Sequence, residues 1–315
     1  MTLKQLEAFF WAATCASFAV AAQRLHLSVS TLSKRISELE TSLGEPLFDR
    51  DTYRATLTAT GHSLLPRVSA LLDQSEALRL SVKHEAGLQG HVRFGVGELA
   101  SQTWLPRFIR LASARYPGLQ LEPDVEIGST MEQSLENGEL DFTLAAGFSS
   151  RRSIVSRPLG AATFIWVASP ALLQVHTDHS MALLQKAPLI TMPSGAGTHR
   201  MMEEWLSRTG VSLGRSLTCN TWGAVSALLI EALGTGFLPQ AWAEPLLARK
   251  LLKPLPEWPT LKPLHYSVQM RRDDTRTVMR SIQALLEEVV DFGLPVSFLT
   301  GTTPQKKHHD ESHSA

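Results

Sequence analysis

At 315 residues, 43% hydrophobic and 19% charged, the chain is too long for one small domain and apolar enough to bury real cores. Its 30 basic and 30 acidic residues cancel. That balance excludes a bulk-charge polyanion binder, so any nucleic-acid affinity must come from local placement.

Thr2 and Gln5 form a capping-box pair that opens a first helix, with Leu3, Leu6, Phe9, Phe10 and Ala13 as its buried face. A second, alanine-rich helix runs from about Phe18 to Leu25, capped by Ser17. Its small side chains permit the close packing of a helix-turn-helix. Ser28 is a good N-cap for a third helix and Gly44 a good terminator. Between them Leu32, Ile36, Leu39 and Leu43 recur at helical period as one apolar stripe. The opposite face carries Ser30, Lys34, Ser37 and Thr41, with Ser33 beside it, and has no acid. Such a face can approach a phosphate backbone, and its Ser, Thr and Lys side chains can reach phosphates and base edges. The candidate DNA-contacting residues here are Ser28, Val29, Ser30, Thr31, Ser33, Lys34 and Ser37. Basic groups concentrate between Arg24 and Arg35 and again in the Arg50–Arg54 turn, while acids cluster after Ser37. From Glu45 to Thr58 an irregular stretch predicts a two-stranded wing. Leu47 and Phe48 would plug the core, and Arg50 and Arg54 would reach backbone or minor groove, a solvated hairpin being the alternative. On this stretch alone, two surface helices of an ordinary α domain remain an equal reading.

Residues 58–87 form one long helical pattern in which Leu64, Val68, Leu71, Ser75, Leu78 and Val82 make a coiled-coil seam. A lone helix cannot bury that stripe, so the seam predicts a dimer presenting two recognition helices to two half-sites. Gly87 and Gly90 would end the rod as a linker. From His91 the pattern becomes alternating short strands and helices, which implies mostly parallel sheet with binding at the carboxyl ends of strands. Strands are expected at 91–97, Leu119–Val125, Asp141–Ala145, Thr163–Ala168, Leu189–Met192, Ser216–Cys219 and Leu264–Arg271. Helices are expected at Trp104–Arg115, Thr130–Asn137, from Thr198, at Trp222–Leu233, near Ala241–Arg249 and at Arg276–Phe292. Residues 300–315 lack apolar content, and a tail of about 299–315 should be disordered.

The pieces LxxLxxF (Leu3, Leu6, Phe9), SFxxAAxxL (Ser17 to Leu25), LSxxIxxLE (Leu32 to Glu40), LGxPLFxR (Leu43 to Arg50) and LTxxG (Leu57 to Gly61) occur in this order and spacing. Together they resemble the winged helix-turn-helix of LysR-type transcriptional regulators. The likeness continues more loosely to about residue 295, through GELD at 138–141, an SGAGT turn at 194–198 and a GTGFLP turn at 234–239. It implies a two-lobed α/β effector domain, like a type II periplasmic binding protein, preceded by an all-α winged helix-turn-helix and a long linker helix. The implied domains are 1–60 for DNA binding, 61–89 for linking and dimerisation, and 90–298 for effector binding. Lobe I would be about 90–162 and 268–295, lobe II about 163–267, with hinge crossings near Trp166 and Tyr266. Partners would be a double-stranded DNA operator, a small-molecule effector, a second copy or a homotetramer, and RNA polymerase, with no membrane and no cofactor. Many family members carry glutamine where Val29 stands, so no base preference carries over there. Peroxide-sensing members use a cysteine pair in the effector part. Only Cys219 lies there, Cys15 being far away, so neither a redox switch nor a disulfide framework is expected.

Two segments would bring helix N-termini to the cleft: Glu98, Ala100, Ser101 and Thr103 in one, Ser194, Gly195 and Thr198 in the other. With Thr221 from a third turn they suggest a small carboxylate or amino acid-like effector, ordinary capping being the alternative. Glu98 would pair with a ligand amine or neutralise Arg200 or His199. There is no GxSxG, HExxH, Walker loop or Cys/His metal spacing. The start, MTLKQLEAFF, shows no signal-peptide apolar region and no run approaches a membrane span, so the protein is expected in the cytoplasm and not to be an enzyme. The rival readings are a two-lobed ligand-binding protein with no DNA role, and an enzyme on the same fold.

Overall fold

The computed structural model describes residues 1–49, 56–82, 88–274, 276–296 and 299. The winged domain packs α1 (Leu3–Thr14), α2 (Phe18–Arg24), α3 (Val29–Leu43) and the start of α4 (Ala59–Val82) around one core. The Thr2 capping box forms as expected, with Thr2 N donating to Gln5 Oε1 at 2.8 Å and Gln5 N to Thr2 Oγ1 at 3.3 Å. Leu32, Ile36 and Leu39 are buried, each such side chain contributing roughly 1.5–3 kcal/mol. Leu43 departs from the expected stripe and Leu3 from the expected face of α1, at 38% and 48% exposed. Leu47 and Phe48 fill the core in place of Leu43, and Ala8 and Ala12 complete the buried face of α1.

The motif residues after α3 have specific tasks. Gly44 ends the helix in the left-handed region at φ 75°. Glu40 Oε1 accepts from Leu47 N at 2.7 Å and Phe48 N at 3.2 Å, fixing the turn that plugs the core. Thr58 Oγ1 donates to Pro46 O at 2.8 Å and accepts from Gly61 N at 3.1 Å. Gly61 must be glycine because a Cβ would stand 2.3 Å from the Leu47 carbonyl oxygen. The base of the wing is the antiparallel bridge Phe48–Leu57 with Asp49 N donating to Thr56 O. Its tip, with Arg50, Tyr53 and Arg54, lies outside the described residues.

The expected seam of α4 is divided. Val68 is 2% exposed against the winged domain's own core, while Leu71 and Leu78 are 42% and 67% exposed. Val82's side chain and Gly87 lie outside the described residues, as do residues 300–315 of the expected tail. Gly90, expected in a linker, is already inside a strand.

The rest of the chain makes two sheets. β1 (Gln89–Val96), α5 (Glu98–Gln102), α6 (Leu105–Arg115), β2 (Gly118–Val125), α7 (Gly128–Glu136), β3 (Phe142–Ala146) and β4 (Ile154–Ala162) build the first lobe. The chain then crosses at Thr163 into β5 (Phe164–Ala168), α8 (Pro170–Val175), α9 (Leu183–Lys186), β6 (Leu189–Thr191), α10 (Gly197–Thr209) and β7 (Ser216–Thr218). The second lobe ends with α11 (Trp222–Ile230), β8 (Thr235–Pro239), α12 (Gln240–Ala248) and β9 (Lys253–Pro254). β10 (Leu264–Arg271) and α13 (Thr277–Val289) return to the first. The strand orders are β2-β1-β3-β10-β4 and β7-β6-β8-β5-β9. In each sheet four strands run in one direction and one runs against them, β10 in the first and β5 in the second, each the strand that follows a crossing.

Several expectations need correction. β4 has no counterpart in the expected strands, because its exposed Arg157 and Pro158 interrupt the alternation. The GTGFLP segment is the buried strand β8 rather than a turn; glycine is needed at 236 because a Cβ would meet Ile190 O at 2.6 Å. Lobe I resumes at Leu264, not 268, since β10 pairs with β4 from Leu264 and with β3 from Tyr266. The crossings therefore precede Trp166 and Tyr266, which sit inside strands. Trp166 stacks among Trp205, Trp258 and Phe237, and Trp166 and Trp205 both donate to Pro259 O, at 3.1 and 2.9 Å. No helix among the described residues is long and apolar enough to cross a membrane.

Candidate DNA-reading helix and interlobe cleft

α3 presents one face to solvent. Ser28, Val29, Ser30, Lys34 and Ser37 are exposed, with Thr31 and Ser33 half-buried beside them. Ser28 caps the helix, accepting from Thr31 N at 3.1 Å, and its hydroxyl lies 2.9 Å from that of Ser30 and 2.7 Å from that of Thr31. These three hydroxyls, together with the free first-turn N–H groups, make a donor-rich end of the kind that binds phosphate. The nearest acid on the helix, Glu38, is drawn back to α1 by Gln5 Nε2 at 3.0 Å. The structure thus brings the predicted α3 residues together; Arg50 and Arg54 lie outside the described residues.

Arg24 does not belong to this basic region. Its side chain, 6% exposed, points away from α3 into lobe I and donates to Gly138 O and to Asp141 Oδ1. Arg276 donates to the same Asp141 oxygen, and Trp11 lies under both guanidinium groups at 4.3 and 5.0 Å. Ala16 N completes the junction with a 2.9 Å bond to Asn137 O. Burial alone would raise the Asp141 carboxyl, but Arg276, Arg24 and the Arg93 N–H hold it below its ordinary value. The Cys15 thiol beside it is pushed up by burial, so it is a poor nucleophile. A buried acid within GELD, a motif ending in a strand, was the available signal for this contact.

The cleft is lined by the segments that follow the carboxyl ends of β1, β2, β3 and β6 and by β10. Of the predicted effector residues, Ala100 is 1% exposed in the lobe I core, and Thr103 turns its hydroxyl onto Leu99 O at 2.8 Å. Neither faces the cleft, because α5 is a short helix whose inner side is apolar. Ser101 donates to Glu98 O at 2.8 Å, and Thr221 caps α11 by accepting from Ala224 N at 3.2 Å. Thr198 is buried and its hydroxyl has no hydrogen-bond partner among the described residues, and Ser194 is exposed outside the cavity lining. Gly195 does line it.

Glu98 neither waits for an amine nor neutralises Arg200 or His199. It reaches across to lobe II and accepts from Trp222 N and from Gly223 N, the latter at 3.4 Å. The protein's own carboxylate thus occupies the positive end of α11. Burial raises Glu98 more than the two N–H bonds lower it, and the net shift is upward. A second cross-lobe bond joins Ser129 N to Gly195 O at 3.3 Å. The lobes approach closely because of glycine: a Cβ at Gly197 would stand 2.2 Å from that of Ala146. His199 pairs with Glu203 at 3.4 Å, and Arg200 makes no ion pair among the described residues. Beside these contacts lies an open cavity of about 250 Å³, bounded by Gly128, Glu132, Ala146, Gly197, Arg200 and Gln269 among others. Glu132, Arg200 and Gln269 were not singled out from the sequence, since nothing local marks a residue that faces a cleft.

Known proteins share this arrangement. The family described as bacterial regulatory helix-turn-helix protein, lysR family, matches residues 3–62, and LysR substrate binding domain matches residues 85–292. The uncharacterized HTH-type transcriptional regulator YfeR of Shigella flexneri is 27% identical over 93% of this chain and 94% of its own. The HTH-type transcriptional regulator IlvY of Escherichia coli is 27% identical over 78% and 84%. The structure of ArgP from Mycobacterium tuberculosis superposes with a TM-score of 0.63 at 21% identity, covering 90% of this chain and 95% of that one. Full-length LysG from Corynebacterium glutamicum, solved with bound effector Arg, gives 0.60 at 18% identity over 91% and 97%. At such identities the solved structures show a common fold.

Proposed function

The chain belongs to the LysR family of bacterial transcriptional regulators, and from that premise we propose that α3 reads a partly palindromic operator while a small molecule held between the lobes adjusts that binding. The observation that carries the DNA reading is the outer face of α3, hydroxylated, basic, acid-free and exposed while the opposite stripe is buried. Residues 1–60 would bind DNA. Residues 61–89 would join two copies, Leu71 and Leu78 meeting their counterparts seven residues apart on the coiled-coil repeat. Pairs of such dimers would form a tetramer spanning separated half-sites. RNA polymerase would be the further partner at an activated promoter. The protein would work in the cytoplasm, regulating rather than catalysing.

The effector would act by favouring one arrangement of the lobes over another, since a ligand shifts a conformational equilibrium only through differential affinity. Glu98 and the Ser129–Gly195 bond join the two lobes across the cleft. A bound effector would change their balance and, through Arg24 and Asp141 at the junction, the placement of the winged domain.

Selection of binding sequences from genomic fragments in moderate salt tests the DNA reading, with a Ser30→Glu/Lys34→Glu variant in parallel. Enrichment of a two-fold symmetric site by the wild-type protein alone is expected. Identical behaviour of the two proteins would remove α3 from DNA recognition and leave a two-lobed ligand-binding dimer.

A further inference from the structure

We propose that Glu98 acts as a ligand tethered to the chain, a positioning residue that ties lobe I to lobe II by filling the anion-binding end of α11 and so bars that end to outside anions. Its effect on DNA rests on the reading above, that the arrangement of the lobes adjusts operator binding. The two carboxylate oxygens take separate donors, Oε2 from Trp222 N and Oε1 from Gly223 N at 3.4 Å. A free anion at a helix N-terminus is held in the same way. The next donor, Ala224 N, is taken by the Thr221 hydroxyl at 3.2 Å, and Val225 N bonds Thr221 O at 3.0 Å. From Trp222 to Val225 no amide is left for a second anion.

Both ends of the tie are anchored. On lobe I, Leu99 and Ala100 beside Glu98 are buried, and Ser101 donates to the Glu98 carbonyl at 2.8 Å. On lobe II, the Trp222 side chain is buried, its ring centroid 5.9 Å from that of Phe164 and 6.2 Å from that of Phe237. Parting the lobes therefore breaks both bonds. No cation among the described residues pairs with Glu98, so the two amides and the dipole of α11 are what hold its charge there. Burial works against that charge. Tethering offsets the loss, because a group fixed to the chain gives up little freedom on binding. Ser129 N and Gly195 O make a second cross-lobe bond at 3.3 Å, on other segments of both lobes. Loss of an interlobe tie should reach that bond, whereas loss of a local helix cap should not.

The test is amide hydrogen exchange of the full chain and of Glu98→Ala, read at Trp222 and Gly223 and at Ser129. In Glu98→Ala all three amides should exchange roughly tenfold faster or more. Acetate then stands in for the missing carboxylate. An untethered anion lacks the high effective concentration of the side chain, so about 0.1 M should be needed. Acetate should slow all three amides again in the variant, while sodium chloride of equal ionic strength should not. In the wild-type protein acetate should leave Trp222 and Gly223 as they are. Glu98→Asp keeps the charge and shortens the reach; it should also exchange faster, and it carries the test if the alanine variant does not fold. Unchanged exchange at Trp222 and Gly223 overturns the assignment, as does no recovery with acetate or further slowing of those two amides by acetate in the wild type. Faster exchange there with Ser129 still protected makes Glu98 a local cap and overturns the tie. Operator footprints of wild type and Glu98→Ala, with and without acetate, separate this from the wider reading. Exchange as expected with identical footprints sinks only the link between lobe arrangement and DNA binding.

Discussion

The outer face of α3 comes from one unbroken stretch, Ser28 to Ser37, whereas the cleft is assembled from stretches as far apart as Glu98 and Gln269. The first is positioned by rules that act within a turn or two: an N-cap, an apolar period and a glycine stop. The second exists only once two sheets have formed and met. The first also leaves its polar groups open to solvent. The second satisfies many of its own, Glu98 on α11 and Ser129 on Gly195, and leaves one corner unsatisfied. The outer face of α3 is thus open along its length, while the cleft is bridged by bonds between its own lobes.

The junction at Asp141 is where this contrast is most easily broken, because it ties the two regions together. Asp141 is fully buried between Arg24 and Arg276. Asp141→Ala leaves the buried Arg24 without its acid, Arg276 keeping Asp274, and should cost roughly 3–5 kcal/mol in urea unfolding. Arg24→Ala keeps the Arg276 partner, so it should cost less. It should instead let the winged domain move away from lobe I, seen as a larger radius of gyration in solution scattering. A loss below about 1 kcal/mol for Asp141→Ala would mean an effectively solvated cluster, with the two regions folding separately. The pH dependence has a definite sign. Asp141's folded pKa is depressed, so its contribution is present above the ordinary 3.8 and fades as pH falls through the lower folded value.

What could be read beforehand follows the same division. The caps at Thr2, Ser17 and Ser28, the stop at Gly44 and the stripe Leu32–Ile36–Leu39 are all local, and each stands where expected. Leu43 was misassigned because the plug formed by Leu47 and Phe48 is a tertiary event that displaces it. The strands of both lobes were mostly legible from alternation. β8 was hidden by two glycines that suggest a turn locally but serve close packing on Ile190. Gly195, marked by its glycine, does line the cavity, whereas Thr221, marked as a helix cap, serves as the cap of α11 and is not among the lining residues. Glu132, Arg200 and Gln269 leave no local sign. Glu98 was noticed, yet its true partner lies more than a hundred residues away on α11.

A smaller effect sharpens the account of the DNA face. Lys34 is exposed on α3 and should meet phosphate rather than a base. Lys34→Ala should weaken binding on every sequence alike and lower the salt slope by about one, in anisotropy titrations across salt concentrations. A loss confined to particular sequences would make Lys34 a base-reading residue.

Smaller again is Glu98→Gln, which tests whether the cleft is held by a charge or by a hydrogen-bond acceptor. Glu98's folded pKa is raised, so the closed form gains stability as pH falls through that raised value toward the ordinary 4.5. Glutamine keeps one acceptor and removes the titration. The variant should show a flatter melting profile over that window and little change below it. An unchanged profile would place the titration elsewhere.

Val29 carries the finest distinction. It is 46% exposed at the first position of α3, where a recognition helix meets base edges with its N-terminal residues. Valine can offer only apolar contact there, such as to a thymine methyl group, whereas glutamine can pair with adenine through two hydrogen bonds. Val29→Gln should therefore change which half-site is enriched, by roughly 1–3 kcal/mol of discrimination at one base pair, with little change in non-specific affinity. Lys34, the residue proposed to meet phosphate, is unchanged in that variant, so the general affinity has no reason to fall. If selection returns the wild-type sequence unchanged, the side chain of Val29 touches no base. The reading of bases would then belong to the Ser30–Ser33–Ser37 face alone, and the DNA region would itself divide into a phosphate-binding end and a sequence-reading middle.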